Sequence, residues 1–214
     1  MRSFEARGDC DVVDEPLYAA FLAATGKDHP GRDEILASQP TDPVEALRAL
    51  RSPRRLTYEK HMAHHWLPGW PAAEIGEARH VLLIRDPDRV VASYAKVREA
   101  PLPEDLGYLQ QVALLDALPI ACVIDGDELL ADPPRVLRRL CEAVGLAYTD
   151  RMLSWPPGRR PTDGVWAPHW YARVEASTGF SPPSSEAAQV PDALRAVADA
   201  VRPAYERLRT LLSR

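Results

Sequence analysis

The sequence predicts an α/β domain, a parallel sheet with helices on both faces. Two observations carry this. Short apolar runs, "CDVVD", "HVLLIR" and "IACVID", alternate with amphipathic helical stretches along the chain, the order that strand–helix–strand units produce. The runs at 80–85 and 120–125 also lack the polar alternation of a half-solvated strand, so each is expected to be buried on both faces. With 214 residues the chain can build one substantial core, and a single domain over 1–214 is expected.

The elements follow in order. "MRSFEAR" at 1–7 reads as the end of a helix closed by Gly8. "CDVVD" is a short strand. "EPLYAAFLAATG" is a helix with Leu17, Phe21 and Leu22 in one stripe and Gly26 past its end. "DEILAS" and "DPVEALRAL" are short helices, the second with Asp42 as cap and Pro43 in the first position. "RLTYEKH" alternates as a strand. "DPDRVVASYAKV" is a helix, and "PEDLGYLQQVALLDAL" reads as one more, weakened by Gly107. "DPPRVLRRLCEAVG" carries Val136, Leu137, Leu140 and Val144 at helical spacing and stops at Gly145. Residues 151–191 are irregular and rich in proline and aromatics. A loop of that length is functional or disordered, and the aromatics between Trp155 and Tyr171 point to an ordered, functional one. The last helix begins near Asp192, with Leu194, Val197, Val201, Leu208 and Leu211 on one face and a kink expected at Pro203.

Composition narrows the function. The formal charge is −5, which argues against a general nucleic-acid binder but leaves room for a local basic pocket. Cys10, Cys122 and Cys141 form no CxxC pair, so neither a zinc ribbon nor a disulfide framework is expected. No window of the sequence has transmembrane length. A cytoplasmic protein with a small-molecule partner, no nucleic acid and no membrane is expected.

Ligands of parallel sheets bind beyond the carboxyl ends of the strands, and Arg85 stands at such an end. Asp86 is a good helix cap and Pro87 suits the first turn, so folding accounts for both. Folding does not account for Arg85. Ser93 follows it by eight residues, and an arginine with a serine can hold a phosphate by charge and hydroxyl donation. The alternative is an arginine paired with a neighbouring carboxylate. His61, His64 and His65 invite a metal reading with two imidazoles on one face. No HExxH accompanies them, and a surface or pocket cluster without metal is expected. Trp166, His169, Trp170 and Tyr171 read either as a satellite core under the loop or as a stacking wall.

Arg85 followed by Ser93 resembles the 3′-phosphate-binding signature of the sulfotransferase family. "GVWAPHWY" at 164–171 resembles the "GxWxxHF" segment of that family's late donor-binding loop, and Arg159 and Arg160 are similar to the basic residues that open it. "VIDGDELLADPPRVLRRLCEAVGL" is similar to the family's strand, "EDL" helix and following helix. The resemblance covers nearly the whole chain in the right order. It implies a three-layer sandwich around a central parallel sheet, of the P-loop NTPase-like kind. It also implies PAPS, 3′-phosphoadenosine 5′-phosphosulfate, as co-substrate without a metal. Arg85, Ser93, Arg159, Arg160, Gly164 and Trp166 would bind the donor, and a sulfuryl group would pass to a hydroxyl or amine of a small acceptor.

In that family a strand and a P-loop-like turn precede the first helix and bind the 5′-phosphosulfate. "MRSFEAR" resembles the helix that follows this turn. The resemblance therefore implies either that a preceding strand and turn stand outside these 214 residues or that the protein is a variant lacking that half of the donor site. A third reading takes Met1 as the true start of a protein with another activity.

The acceptor must lose a proton as it attacks. Glu15 in "VVDEPLY" resembles the "EP" element that supplies a catalytic glutamate in some sulfotransferase branches. The bland alternative has Asp14 capping a helix whose N-terminus Glu15 favours. "YEKHMAHHW" resembles the "KTHL" strand end, which makes Lys60 a donor contact and His61 a base. Here the two are adjacent, so strand alternation puts them on opposite faces, and His64 and His65 stand as alternatives to His61. Two other functions stay open. One is a non-catalytic nucleotide-binding or scaffolding remnant of the fold. The other is a phosphotransferase or hydrolase, which would need a Walker lysine and a strand-end aspartate such as Asp125.

Overall fold

Most helices and strands form where apolar spacing and capping residues placed them. The structure, a computed structural model, describes residues 1–50, 56–75, 78–96, 101–183 and 186–212. Arg55, expected to open the strand "RLTYEKH", and Val97, at the end of "DPDRVVASYAKV", lie outside the described residues. In chain order the elements are α1 (Arg2–Glu5), β1 (Cys10–Asp14), α2 (Tyr18–Thr25), α3 (Arg32–Ser38), α4 (Pro43–Ala49), β2 (Leu56–Lys60), β3 (His80–Ile84), α5 (Pro87–Tyr94), α6 (Tyr108–Ala117), β4 (Ile120–Asp125), α7 (Gly126–Ala131), α8 (Pro133–Val144), α9 (Ala167–Trp170), α10 (Ala172–Ala176) and α11 (Arg195–Arg209), with short 3₁₀ turns between some of them. The chain divides into two units, Met1–Glu77 with Thr149–Phe180 and Ala78–Tyr148 with Ser181–Arg214.

In the first unit β1 pairs parallel with β2, Cys10 opposite Leu56 and Asp14 opposite Lys60. Alternation buries Cys10, Val12 and Asp14 and leaves Asp11 exposed. Phe4 of α1 stacks on Tyr58 of β2, ring centres 4.3 Å apart. The helix α2 is buried on nearly every side from Tyr18 to Leu22, so it behaves as a core helix. Tyr18, Phe21 and Leu22 pack with Ile35 of α3 and with Trp166, Ala167 and Tyr171 of the late segment. Asp42 caps α4 by accepting from the Glu45 N–H, with Pro43 in the first turn, as the sequence predicts. The cap of α2 is Leu17 and not Asp14. The late segment holds two short helices where an irregular loop was expected.

In the second unit β3 pairs parallel with β4, Leu82 opposite Val123 and Ile84 opposite Asp125. The expected α/β class with parallel strands is present, and among the described residues the strands pair as two parallel ladders, one in each unit. The β4 strand meets the expectation of burial on both faces: Cys122, Val123 and Ile124 are all buried. The β3 strand does not. Leu82 and Ile84 are buried while Leu83 is 56% exposed. The helices α6 and α11 pack Tyr108, Val201, Tyr205 and Leu208 against the Leu82/Ile84 face only. The Gln111 amide donates to the Leu83 carbonyl at 3.0 Å, satisfying a backbone group of that strand. The stretch expected as one helix from Pro103 is broken at Gly107, whose φ of +79 ends a 3₁₀ turn and starts α6. A left-handed residue cannot sit inside an α-helix, so the glycine interrupts it. The amphipathic α8 buries Val136, Leu137, Leu140 and Cys141, and α11 runs through Pro203.

The contrast within β3 is testable. Ile84→Ala removes a fully packed side chain and is expected to cost about 2–5 kcal/mol in urea unfolding. Leu83→Ala, one residue away, is expected to change stability by no more than about 0.5 kcal/mol.

Candidate functional site

Two strand ends and one helix build a charged centre in the first unit. The parallel register sets Asp14 beside Lys60 at the carboxyl ends of β1 and β2. One residue on, Glu15 takes a left-handed backbone, φ +42, and is the one non-glycine with positive φ among the described residues. A glutamate there costs about 1–2 kcal/mol. Several hydrogen bonds hold it. The Glu15 N–H donates to the Lys60 carbonyl at 2.7 Å, and the Tyr18 N–H donates to the Glu15 carbonyl at 3.1 Å. The Gln39 amide also donates to that carbonyl and accepts from the Ala19 N–H, both at 3.1 Å.

The side chains then converge. Lys60 Nζ donates to Glu15 Oε1, stands 3.3 Å from Asp14 Oδ1 and donates to the Tyr171 hydroxyl at 2.7 Å. That hydroxyl points at the Asp14 carboxylate, 2.7 and 2.8 Å from its two oxygens. The Gly164 N–H donates to Asp14 Oδ2 at 3.1 Å. Asp14 and Glu15 are 5% and 6% exposed, so two buried carboxylates share the ammonium of a partly exposed lysine. Burial pushes the Glu15 carboxyl above its ordinary range, against the pull of Lys60. Burial opposes the Lys60 charge, but Glu15 and Asp14 outweigh it and raise the lysine pKa. Both shifts have one physical origin: a buried centre with more carboxylates than cations holds its protons tightly. Burial and the two carboxylates likewise push the Tyr171 phenol upward, so it stays a donor.

His65 lies against this centre. It is 2% exposed and stacks on Tyr18 and Phe21 at 4.4 and 4.7 Å. Its Nδ1 stands 3.8 Å from Glu15 Oε2. Burial, then neighbouring His64 and His29, pull its pKa well below the usual histidine value, so the ring is neutral. His61 is turned elsewhere, its Nε2 3.2 Å from Glu59 Oε2. Of the three candidates Glu15, Lys60 and His61, the structure brings the first two together and keeps His61 apart. His65 takes the histidine position beside Glu15.

The late loop is tied to α1. Arg2 Nη2 donates to Asp163 Oδ2 at 2.7 Å, and Nη1 stands 2.7 Å from Oδ1. The Thr162 hydroxyl donates to Glu5 at 2.8 Å. Arg160 Nε lies 3.6 Å from Glu5, and Arg159 is exposed. Trp166 is 1% exposed, edge-on to Tyr18 at 5.2 Å. A Cβ at Gly164 would stand 2.1 Å from the Trp166 ring. Gly164 and Trp166 are therefore packing partners that aim the Gly164 N–H at Asp14.

The second strand-end group is in the other unit. Arg85 directly follows β3, and its Nε donates to Asp127 Oδ1 at 3.0 Å, the carboxylate alternative weighed for it. Its side chain is 36% exposed, and among the described residues its hydrogen bond runs through Nε and not through Nη1 or Nη2. Its carbonyl accepts from the Tyr108 hydroxyl at 2.6 Å. Asp86 caps α5 through the Asp88 N–H at 2.9 Å, and Ser93 is exposed two turns along. Asp125 caps α7 by accepting from the Asp127 and Glu128 N–H groups, which gives that strand-end aspartate a structural duty. Among the described residues no group of three or more His, Cys, Asp and Glu is placed to hold a metal ion. No helix among them is long and apolar enough to cross a membrane.

Comparison with known proteins decides the family. The sequence profile described as "Sulfotransferase domain" matches residues 1–210. The chain belongs to the sulfotransferase family. Two curated Arabidopsis thaliana proteins, named branched-chain-amino-acid aminotransferase-like protein 2 and protein 1, are 39% and 40% identical to this sulfotransferase-family chain over 191 residues. The match covers 86% of this chain and 34% of each relative, so the chain spans about a third of their length. Two solved sulfotransferase domains are similar at low identity. The domain from the curacin biosynthetic pathway is 16% identical with a TM-score of 0.47, covering 92% of this chain and 78% of that one. The domain from the Synechococcus PCC 7002 olefin synthase is 15% identical with a TM-score of 0.43, covering 90% and 93%. Family membership rests on the profile match and not on these two structures.

Sequence reasoning passed over Asp14, considered only as a possible helix cap, and Tyr171, read as either satellite core or stacking wall. A signal for Asp14 was present, since alternation in "CDVVD" puts it on the buried face with Val12. Tyr171 lies 157 positions from Asp14, and nothing local announces the contact. Lys60→Met tests the centre. It leaves two buried carboxylates without their cation, and a loss of about 3 kcal/mol in stability is expected. Without Lys60 the Glu15 carboxyl rises further. A carboxyl raised on folding binds its proton more tightly in the folded state, so stability falls as pH climbs from its unfolded value through its folded one. Unfolding curves from pH 4 upward should therefore decline more steeply for Lys60→Met than for the parent protein.

Proposed function

We propose that the chain transfers a sulfuryl group from PAPS to a hydroxyl or amine of a small acceptor, with Glu15 as the general base. The observation that carries the reading is the Glu15–Lys60 pair at the ends of two parallel strands in a chain of this family. The side chains of Arg85 and Ser93 fit a 3′-phosphate: one is a half-exposed guanidinium with its terminal nitrogens available, the other an exposed hydroxyl. Bound PAPS would supply an activated sulfuryl group at its anhydride.

The residues of the first unit divide the remaining work. Burial raises the affinity of Glu15 for the acceptor's proton, since a carboxylate with little hydration is a stronger base. Lys60 fixes Oε1, which leaves Oε2, on the His65 side, as the oxygen that takes the proton. Lys60 also offsets part of the negative charge that Asp14 and Glu15 bring to this centre. Tyr171 and the Gly164 N–H hold Asp14, so that Asp14 does not draw Lys60 away from Glu15. The tight packing of Trp166 and Gly164 fixes that N–H.

Calorimetric titration with 3′-phosphoadenosine 5′-phosphate, with AMP as control, tests the donor half. Preference for the 3′-phosphorylated ligand is expected, and Arg85→Ala should abolish it. Transfer of labelled sulfate from PAPS to a panel of alcohols and amines tests the chemistry. Glu15→Gln is expected to lower kcat by about 10²- to 10⁴-fold. A base works deprotonated, so kcat/KM should rise as pH climbs through the raised Glu15 pKa, and Glu15→Gln should remove that limb. Selective binding without transfer to any acceptor would favour the non-catalytic nucleotide-binding reading. No selective binding would sink the donor-site assignment.

A further inference from the structure

Arg85 and Ser93 are not alone on their line. Arg89 lies four residues after Arg85 and four before Ser93. Residues four apart on a helix share a face, so Arg89 and Ser93 are neighbours on α5, with Arg85 at the strand end just before it. The opposite side of α5 is occupied. Val91 is buried with Ala198 and Leu194, and Asp88 accepts from Arg195 and Arg202 of the α11 helix, at 3.0 and 2.5 Å. The Arg89 side chain, 27% exposed, instead meets the carboxylate that Arg85 uses. Its Nε is 3.2 Å from Asp127 Oδ2, while Arg85 Nε takes Oδ1 at 3.0 Å. One carboxylate thus straddles two guanidiniums, one oxygen to each.

This arrangement has two consequences. Asp127 holds two guanidiniums side by side, each through its Nε, next to the Ser93 end of the same helix face. Asp127 also spends the Nε positions and removes rotational freedom from both arginines, so less order is lost when a ligand arrives. A phosphomonoester offers three oxygens and close to two negative charges, which suits two guanidiniums and a hydroxyl better than one of each.

The geometry points to Arg89 as a second phosphate-binding arginine, completing with Arg85 and Ser93 a site for the terminal phosphomonoester of a 3′-phosphorylated nucleotide. Asp127 is the positioning residue that sets the two arginines side by side. The inference rests on the reading of Arg85 and Ser93 as donor-phosphate residues.

The test is calorimetric titration of the intact chain with 3′-phosphoadenosine 5′-phosphate and, separately, AMP. The parent protein, Arg85→Ala, Arg89→Ala and Arg89→Lys are compared, with melting curves to show that each variant is folded. Arg89→Ala is expected to weaken the bisphosphate at least about 10-fold, the loss of one charge-assisted hydrogen bond. It should change AMP affinity less than about 2-fold. Arg89→Lys keeps the charge without the planar fork and should recover part of the loss. The salt dependence of bisphosphate binding should become shallower in Arg89→Ala, because one cation fewer meets the ligand. If Arg85→Ala loses selective binding while a folded Arg89→Ala binds as the parent does, the role of Arg89 is overturned and the donor-site reading stands. If the parent protein does not prefer the bisphosphate over AMP, the donor-site reading fails and this inference fails with it.

Discussion

The first unit depends on a single ammonium. Lys60 faces two carboxylates, Asp14 and Glu15, that are adjacent in the chain and almost withdrawn from water. Two unit charges at 3.3 Å interact by about 5 kcal/mol at an effective dielectric constant of 20. That attraction opposes both the desolvation of three ions and the mutual repulsion of the carboxylates. It also fixes register. Sliding β2 by one residue against β1 would turn Lys60 to the other face, so the ion cluster and the strand pairing specify each other. The helix α2 enters from this point, and the late segment is held to it through Tyr171 and Gly164.

Much of this was legible in the sequence because the signals were local. Three apolar runs and one alternating stretch marked the four strands, and Asp42, Asp86 and Gly145 marked helix ends where they are found. The choice of Glu15 and Lys60 as site residues came from a family likeness, and the structure sets them in contact. What escaped was set by distant partners. Leu83 is exposed because α6 and α11 cover only one face of β3, and no local pattern says which face a helix will choose. Gly107 was read as a weak point in a helix, but its φ depends on how the preceding turn closes. Asp14 looked like a cap because an aspartate before a helix usually is one. Its partners, Gly164 and Tyr171, come from the other end of the unit.

The two strand-end groups solve the placement of charge in opposite ways. In the first unit the charges are buried, and the surplus is negative, which favours holding a proton. In the second the charges are half-exposed, and one carboxylate, Asp127, bridges two arginines. Salt screens exposed charges far more than buried ones. Ionic strength should therefore bear on the arginine group and leave the carboxylate centre largely as it is.

The contact between Gly164 and Trp166 constrains how this chain can vary. A side chain at position 164 would occupy the space of the indole ring, and the indole donates toward the Tyr171 hydroxyl at 3.4 Å. The two positions are epistatic. Enlarging residue 164 first is blocked by the ring, while trimming residue 166 first opens a cavity beside the hydroxyl that restrains Asp14. Each single step passes through a damaged intermediate, so drift at this corner of the protein requires paired replacement, and glycine and tryptophan lock one another in place.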